Sequence, residues 1–444
     1  MHQVFPRLVL IGVAGSAATL ALAVPAMAAT SSTSGSPAAV HASWKGARNT
    51  ALTVATTGSD SGNCKSSPCK TLGYALTQAR PNDKIVIGPG TYPESNNANV
   101  VGANLTGLKI TSRGSAANTV IDATGNTNGI LIQASGVSVT GLTVKNASLE
   151  GILAEPPKSA WPTGPTSAPA NISHVTIADN IVEQNDQAYN TKLPPTAACP
   201  SSPTDADDCG EGIHLLGVSW SEVIGNNVSH NVGGILVSDG GLGGPGGLGI
   251  SVGPAAHNLI AYNKSMDNVF DCGITLPGHD PRGVATTGPT AGQPQPNLAG
   301  VYDNKVVHNV STGNGAAGLL DATPTPGTAS YDNFFADNTA SGNGNAGFVL
   351  HSHAPLQDVS GIVVTGNRFG QNNLAGDPDT GVMPTTGVML LSVAVPTSIT
   401  VTHNVIFNNV NGIALNSNIT VTGHNRFKNV TNTYFHYTPP APAA

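Results

Sequence analysis

A phrase of glycine, an apolar residue, any residue and a second apolar residue recurs along most of the 444-residue chain. It begins at Gly129, Gly151, Gly212, Gly234, Gly273, Gly318, Gly347, Gly387 and Gly412. Successive starts are 22, 61, 22, 39, 45, 29, 40 and 25 residues apart. Irregular spacing with a minimum near 22 residues is typical of a solenoid, because each turn has a fixed minimum length and insertions leave it as loops. We therefore predict stacked coils that share one apolar core.

Each coil is predicted to contain three short strands separated by polar turns, as in residues 212–215, 221–224 and the neighbours of Val228. Asn-Asn or Asp-Asn pairs lie between strands at Asp179-Asn180, Asn226-Asn227, Asp303-Asn304, Asp332-Asn333 and Asn408-Asn409. Asparagine tolerates left-handed backbone and hydrogen-bonds within its own turn. We expect these side chains to form ladders along the corners, and we favour this interpretation over glycosylation for the Asn-x-Ser/Thr triplets found there.

The residues before the coils predict a cap. Residues 71–79 place Leu72, Ala75, Leu76 and Ala79 at the spacing of an amphipathic helix, and residues 84–87 begin a strand. A bare sheet edge recruits other chains, so a solenoid needs cover on its first coil. We predict that this helix supplies the cover.

Both ends of the chain differ in composition from the coils. Arg7, an apolar stretch over residues 8–24 and Ala26-Met27-Ala28 predict a signal peptide over residues 1–28. An uncleaved membrane anchor is the alternative, although the stretch is at the short limit for a span. Residues 29–50 predict a flexible leader and residues 438–444 a disordered tail. Residues 51–437 would then be one secreted, monomeric domain with no membrane span after signal removal.

Composition narrows the class of partner. The chain has 53 glycines, 32 prolines and only 10% charged residues, which would indicate disorder if the apolar periodicity were absent. The formal net charge is -7, and only Arg282, Arg368 and Arg426 follow Arg113. We expect no basic groove for phosphates, and hence no nucleic-acid partner.

The five cysteines predict an oxidising compartment. We predict the disulfides Cys64–Cys69 and Cys199–Cys209, with Cys272 left over. A metal site is the alternative for the first pair, but the segment has no histidine to complete it. Asp205, Asp207 and Asp208 beside Cys209 could bind calcium, or could form a solvated loop.

Over residues 63–430 the chain resembles the right-handed parallel β-helix proteins, the pectin-lyase-like superfold. The segments that carry this resemblance are Gly58-Ser59-Asp60, Cys69-Lys70-Thr71-Leu72, Gly88-Pro89-Gly90-Thr91-Tyr92 and the Asn-rich repeats. The resemblance implies an all-β fold, a single-stranded right-handed parallel β-helix with an N-terminal helical cap. It implies no single function, because the superfold hosts lyases, hydrolases, epimerases, adhesins and proteins without known activity.

Candidate chemistry follows from which residues face outward. Alternate strand residues point in and out, so the third and fifth residues of the phrase form outward columns across coils about 4.8 Å apart. The richest polar run follows Gly273, where His279 could be an acid/base, Asp280 its partner and Arg282 a clamp for a uronate carboxylate. Our catalytic candidates are Asp271, His279, Asp280, Arg282, His351 and His353. Our substrate-binding candidates are His214, Asp239 and Asp321.

Simpler interpretations compete with several of these roles. Asp280-Pro281 and Asp377-Pro378 are ordinary turn starters, and a histidine in a solenoid turn is usually a packing residue. Asp321 takes a core-directed position, where a carboxylate is costly unless it is paired, so we expect it to be either locally exposed or functional. The signatures of alginate-type epimerases, polygalacturonases and pectate lyases occur only as fragments, such as Gly278-His279-Asp280.

We predict a secreted, polysaccharide-active protein of the lyase, epimerase or glycoside hydrolase class, with its groove along the first parallel sheet. The glycan could contain uronate, calcium is the one cofactor we consider, and insertions at 155–170, 190–210, 240–256 and 282–298 would form the walls. The alternative is a non-catalytic extracellular module that binds glycan or protein. Low charge and only 5% aromatic residues favour that alternative, because glycan grooves usually need stacking rings.

Overall fold

Nearly every strand pairs in parallel with the strand at the same place in the neighbouring coil. The computed structural model describes residues 51–94, 98–100, 105–187, 210–241, 250–377 and 379–440, with backbone only at 98–100, 241 and 250. In this part of the chain the predicted all-β fold, a single-stranded right-handed parallel β-helix with an N-terminal helical cap, is confirmed.

Each full coil contributes one strand to each of three parallel stacks. Sheet 1 contains the strands that follow the repeated glycines. Its strands are Ala98–Val100, Ile130–Ile132, Ile152–Ala154, Glu211–Leu216, Gly233–Ser238, Ile274–Pro277, Leu319–Thr323, Phe348–Ser352 and Thr386–Ser392.

Sheet 2 has 12 strands and follows sheet 1 within each coil. They are Leu52–Val54, Lys84–Ile87, Lys109–Ser112, Ser138–Thr140, Thr176–Ala178, Glu222–Ile224, Leu259–Ala261, Lys305–Val307, Phe334–Ala336, Val363–Thr365, Thr397–Thr402 and Ile419–Thr422.

Sheet 3 closes each coil before the chain returns to sheet 1. Its strands are Gly90–Pro93, Thr119–Asp122, Thr143–Lys145, Ile181–Glu183, Asn227–Ser229, Lys264–Met266, Val310–Thr312, Thr339–Ser341 and Arg368–Phe369. Val405–Leu415 and Arg426–His436 run through sheets 3 and 1 together, so the two sheets merge at the C-terminal end.

Short elements decorate the coils. Ile172–Ser173 pairs with Val218–Ser219, and Gly240–Gly241 pairs antiparallel with Ile250–Ser251. A three-stranded sheet joins Ala255–Ala256, Val301–Tyr302 and Ser330–Tyr331, and single turns of 3-10 helix occupy Ala116–Asn118 and Lys158–Ala160. Within the described ranges, no helix has both the length and the apolar character needed to cross a membrane.

The core is a set of stacked apolar columns. Ile130, Ile152, Ile213, Ile235 and Ile274 are register partners in successive coils, and all are at most 1% exposed. The glycine before each of these residues is needed for space. A Cβ at Gly212 would lie 2.3 Å from Cγ1 of Val228 and 2.6 Å from Nδ2 of Asn231. The repeated glycine therefore marks where sheet 3 packs closely against the start of sheet 1.

Asparagine ladders hold the corners, as predicted. The Asn226 amide donates to the Ile177 carbonyl and to Oδ1 of Asn263, and Oδ1 of Asn226 accepts from the backbone and side chain of Asn180. The pattern repeats along the stack. Another ladder residue, Asn309 of an Asn-x-Ser triplet, is 1% exposed, so burial supports the ladder interpretation over glycosylation there.

The cap is the predicted helix, Leu72–Gln78. Thr71 caps it by accepting from the Tyr74 amide, and the Glu94 carboxylate accepts from the Leu72 and Gly73 amides. Its buried residues Leu72, Ala75 and Leu76 join the core.

The Cys64–Cys69 disulfide is present, as predicted, and Cys272 is a buried thiol. The predicted Cys199–Cys209 disulfide, the calcium candidates Asp205, Asp207 and Asp208, the signal peptide (1–28) and the leader (29–50) lie outside the described residues. Of the predicted tail, residues 438–440 are described and have no regular structure.

Candidate functional site

A cleft of about 460 Å³ lies on the outward face of sheet 1 in its first coils. Leu131 and Leu153 are register partners on its floor, and Leu216 lies beside them. After Ile152–Ala154 the chain leaves the coil in the 61-residue interval of the repeat and brings Trp161 to the rim. Trp161 donates to the Pro156 carbonyl at 2.9 Å, which fixes the indole. The result is an apolar floor with an aromatic wall.

Lys158 and Glu155 give the cleft its charge. The Lys158 Nζ lies 5.6 Å from the centre of the Trp161 ring, a cation–π contact. Glu155 is 3% exposed, and Oε1 of its carboxyl accepts a 2.8 Å hydrogen bond from Nε2 of Gln133. Burial raises the pKa of Glu155, although the Gln133 hydrogen bond and the charges of Lys158 and His214 oppose the rise. A raised pKa favours the protonated carboxyl of Glu155, the form that can donate a proton.

A second ionisable group in the cleft is the pair of Glu150 and His214. Oε1 of Glu150 lies 3.1 Å from Nδ1 of His214, and Oε2 accepts from the Glu211 amide at 2.8 Å. Nε2 of His214 lies 2.9 Å from Oγ of Ser238. Both imidazole nitrogens have partners, and the ring is 1% exposed, so its orientation is fixed. Predicted as a substrate-binding residue, His214 does line the cleft.

Glu150, Glu211 and His214 could together hold a metal ion, since one ligand atom from each lies within 4.8 Å of the others. All three are buried. The sequence prediction assigned a role only to His214 of this group.

Three of the residues predicted to be catalytic, His279, Asp280 and Arg282, lie on a loop beyond strand Ile274–Pro277. Arg282 makes a two-pronged ion pair with Asp280, with Nε 2.9 Å from Oδ1 and Nη2 2.6 Å from Oδ2. Its remaining nitrogen donates to the Ser167 carbonyl at 3.1 Å. Arg282 is 5% exposed and Asp280 is fully buried. This pair holds two insertions together, so the guanidinium is already occupied by Asp280.

Asp239 and His279 belong to the same loop cluster. Oδ1 of Asp239 accepts from the His279 and Asp280 amides, and Oδ2 accepts from the Gly300 amide. Burial and the nearby Asp280 charge raise the pKa of Asp239 to about 8. Nδ1 of His279 lies 3.1 Å from the Gly240 carbonyl. Asp239 is fully buried, so it organises the loop from within.

Two further candidates lie away from this loop. Asp271 precedes strand Ile274–Pro277, whereas His279 follows it. Oδ1 of Asp271 accepts a hydrogen bond from the Cys272 amide. Asp321 is 0% exposed inside the coil, with Oδ2 accepting a 3.0 Å bond from Asn333. Asp321 thus has the predicted core-directed position, but the alternative of local exposure is wrong, and a glycan on the outer face does not reach this carboxyl.

His351 and His353 lie near the end of strand Phe348–Ser352, with two carboxylates that the sequence prediction did not assign to them. Nε2 of His351 is 3.1 Å from Oδ2 of Asp377, and Nδ1 is 3.5 Å from Oδ2 of Asp379. Nε2 of His353 is 3.9 Å from the same Asp379 oxygen. The register sets Ala322 between Pro277 and His351, two coils apart. The predicted catalytic residues thus have separate sets of partners.

Burial lowers the pKa of His351, but the hydrogen bond and charge of Asp377, with the charge of Asp379, outweigh it and leave the pKa raised. For His353, burial and the neighbouring His351 lower the pKa.

A depression of about 360 Å³ near the C-terminal end is basic. Arg368, Arg426 and Lys428 surround it, and the Arg368 guanidinium lies 5.5 Å from the Phe407 ring centre. Val405 is the register partner of both arginines, which brings them together from alternate coils. The expectation that no basic groove forms is therefore corrected here. It rested on the small number of arginines, but the strand register brings two of them together.

No protein-family model matches the chain, and no curated relative matches its sequence. Solved structures do match it. The A-module of a mannuronan C-5 epimerase from Azotobacter vinelandii is 14% identical, with a TM-score of 0.44 over 81% of this chain and 91% of that one. An alginate lyase from Paenibacillus sp. is 14% identical, with a TM-score of 0.40 over 83% and 98%. A surface adhesin of Streptococcus pneumoniae is 12% identical, with a TM-score of 0.35 over 83% and 90%. At such identities these similarities assign no activity to the chain.

Proposed function

We propose that the protein binds a polysaccharide in the sheet 1 cleft and hydrolyses a glycosidic bond there, with Glu155 as the proton donor. The observation that carries this proposal is a buried carboxyl of raised pKa in a cleft walled by a tryptophan. A sugar ring stacks on an indole through its apolar face, and Trp161 is held rigidly at the rim.

Hydrolysis of the glycosidic bond needs water as its only second reactant. Glu155 gives its proton to the glycosidic oxygen as the bond to the anomeric carbon breaks. Water adds its hydroxyl to the anomeric carbon, and its proton passes to the Glu150–His214 pair. The two groups have different environments, since Glu155 is a buried acid and Glu150 contacts the imidazole of His214. This difference suits Glu155 to the acid part of the step and the Glu150–His214 pair to the base part.

The test is mass spectrometry of products after incubation with acidic and neutral polysaccharides, with and without calcium. We expect hydrated fragments, and we expect Glu155→Gln to lower the rate by about 100-fold or more. Glu222→Gln, an exposed glutamate on sheet 2, is the matched control and should leave the rate unchanged. Fragments with an unsaturated end, or equal rates from Glu155→Gln and wild type, would overturn the assignment of Glu155.

Binding without cleavage is the second candidate function, and an aromatic surface favours it. Trp220 stacks on His257 with centroids 4.0 Å apart, and Tyr262 stacks on His308 at 5.0 Å. Trp220 is 57% exposed and Tyr262 is 63% exposed. The coil stacking thus places each of these exposed rings against a histidine of the neighbouring coil. Co-sedimentation with one glycan but no fragments, lost in Trp220→Ala, would support this function.

We also propose that the protein is secreted. The Cys64–Cys69 disulfide supports an oxidising compartment. N-terminal sequencing of the mature protein in culture medium, with a start at Ala29, is the result we expect; retention of residues 1–28 in cell-associated protein would contradict it.

A further inference from the structure

We propose that His351, His353 and Asp379 form a binding site for one zinc-class divalent metal ion, with Asp377 as the residue that orients His351. The site is separate from the cleft and from its proposed hydrolysis. One ligand atom from each of these three residues lies within 4.8 Å of the other two.

The distances suit a small tetrahedral ion. Zinc binds imidazole nitrogen and carboxylate oxygen at about 2.0–2.2 Å, which places neighbouring ligand atoms roughly 3.4 Å apart. The Asp379 oxygen is 3.5 Å from the His351 nitrogen and 3.9 Å from the His353 nitrogen. These two nitrogen–oxygen distances therefore need to shorten by at most about half an ångström to match a tetrahedral site.

Asp377 contacts the nitrogen of His351 that does not face Asp379. It is 1% exposed, and its Oδ2 faces Nε2 of His351 at 3.1 Å, the nitrogen that the metal would not use. A carboxylate behind a ligating histidine fixes the tautomer and leaves the other nitrogen's lone pair free for a metal. His351 has that arrangement, with Asp377 at Nε2 and Asp379 at Nδ1.

The loop that carries both aspartates is fixed before any ion binds. Oδ1 of Asp377 accepts from the Asp379 amide at 2.9 Å, and Asp377 bridges to Val382 in antiparallel fashion. Val382 packs with Val349 and Met389 on the outward face of sheet 1. Because packing holds the loop, the carboxylates are positioned without help from the ion.

Ligand type and exposure set the class of ion. Imidazole with carboxylate selects zinc and its neighbours over calcium, which prefers oxygen ligands. The side chain of Asp379 is 53% exposed and that of His353 is 31% exposed, whereas that of His351 is 9% exposed. The exposed side leaves the fourth position to water, the pattern of an open zinc site.

The experiment is a calorimetric titration of the full chain, stripped of metal by a chelator, with zinc chloride. Cobalt chloride in a parallel titration should give the visible absorption of tetrahedral cobalt. We expect one zinc ion per chain at this site. We expect about 100-fold weaker binding in His353→Gln and in Asp379→Asn, both partly exposed positions, and a roughly 10- to 100-fold weakening in Asp377→Asn. Circular dichroism of each variant checks that the fold is kept.

Two control variants separate this site from other histidines. His424→Gln replaces an exposed histidine and should leave the zinc affinity unchanged. His214→Gln disrupts the second cluster that could hold a metal among the described residues, and should also leave this affinity unchanged. Loss of the zinc in His214→Gln, equal affinity in His353→Gln and wild type, or no zinc uptake by wild type would each overturn the proposal.

Discussion

Gln133 donates a 2.8 Å hydrogen bond to the carboxyl of Glu155 from the same position one coil earlier. Each residue directly follows a register partner, since Ile132 pairs with Ala154. The coil spacing thus brings an amide to a buried acid. Burial raises the pKa of Glu155, and the hydrogen bond from Gln133 is the largest of the effects that lower it.

Removing this amide should raise the pKa of Glu155 further. Gln133→Leu keeps a similar volume but loses the donor that favours the charged carboxylate. The protonated form of Glu155 would then persist to higher pH than in wild type. Carbon-13 NMR of labelled glutamate carboxyls measures the shift, with Glu155→Gln to assign the signal. Ser159→Ala, at an exposed position in the same cleft, should leave the pKa of Glu155 where it is; an unchanged pKa in Gln133→Leu would contradict the prediction.

The position of Glu155 could have been found from the sequence. It is the fifth residue of the phrase that starts at Gly151, as Gln133 is of the phrase at Gly129. The rule that predicts outward columns therefore gives this pair when it is applied to the first two repeats. Which column would become a cleft could not be predicted, because Trp161 reaches it through an insertion whose path depends on packing.

His351 shows the same limit from the other end of the chain. It is a fifth-position residue, and its outward position was predicted from the repeat. Asp377 and Asp379 come from a loop of the next coil that folds back onto sheet 1. Spacing alone does not reveal that return, because it depends on Val382 packing against Met389.

The corner ladders were predicted from Asn-containing pairs, and they allow a matched stability test. Asn226→Ala removes a side chain with four hydrogen bonds and leaves buried partners unpaired in two neighbouring coils. We expect a loss of about 3 kcal/mol in the free energy of unfolding. Asn227→Ala changes the adjacent, half-buried asparagine and should cost less than about 1 kcal/mol. Urea denaturation of both variants gives the comparison; equal losses would argue against the ladder as a main support.

Asp280 and Arg282 were predicted to be catalytic, and their buried ion pair leads to a prediction about stability. Asp280→Asn leaves the Arg282 charge buried without its partner, which should cost about 3–5 kcal/mol. The double variant Asp280→Asn, Arg282→Met should be more stable than Asp280→Asn alone, because it leaves no charge unpaired. Thermal unfolding followed by circular dichroism ranks the variants. A double variant less stable than Asp280→Asn would show that the guanidinium contributes chiefly through Ser167 and its other contacts.

Asp321 should make the stability of the protein fall as pH rises above about 4. Burial raises the pKa of this fully buried carboxyl well above its usual value, against the hydrogen bonds of Ser330 and Asn333. In the unfolded chain an aspartate has a pKa of about 3.9. Above that pH the carboxyl is ionised in the unfolded state and still protonated in the folded state. The free energy of unfolding therefore falls by about 1.4 kcal/mol per pH unit until the pH reaches the pKa of the folded state.

Asp321→Asn has a similar shape and no proton to lose, so it should abolish this part of the pH dependence. We expect the variant to gain stability relative to wild type between pH 5 and pH 8, with the smallest difference at the lowest pH. Urea denaturation of both proteins at pH 5, 6.5 and 8 measures it. Parallel curves for the two proteins would mean that Asp321 is ionised in the folded state. Asn333 donates to Oδ2 of Asp321 in either protonation state, so this hydrogen bond does not distinguish the neutral acid from the carboxylate. Oδ1 is buried without a hydrogen-bond partner, which favours the neutral acid.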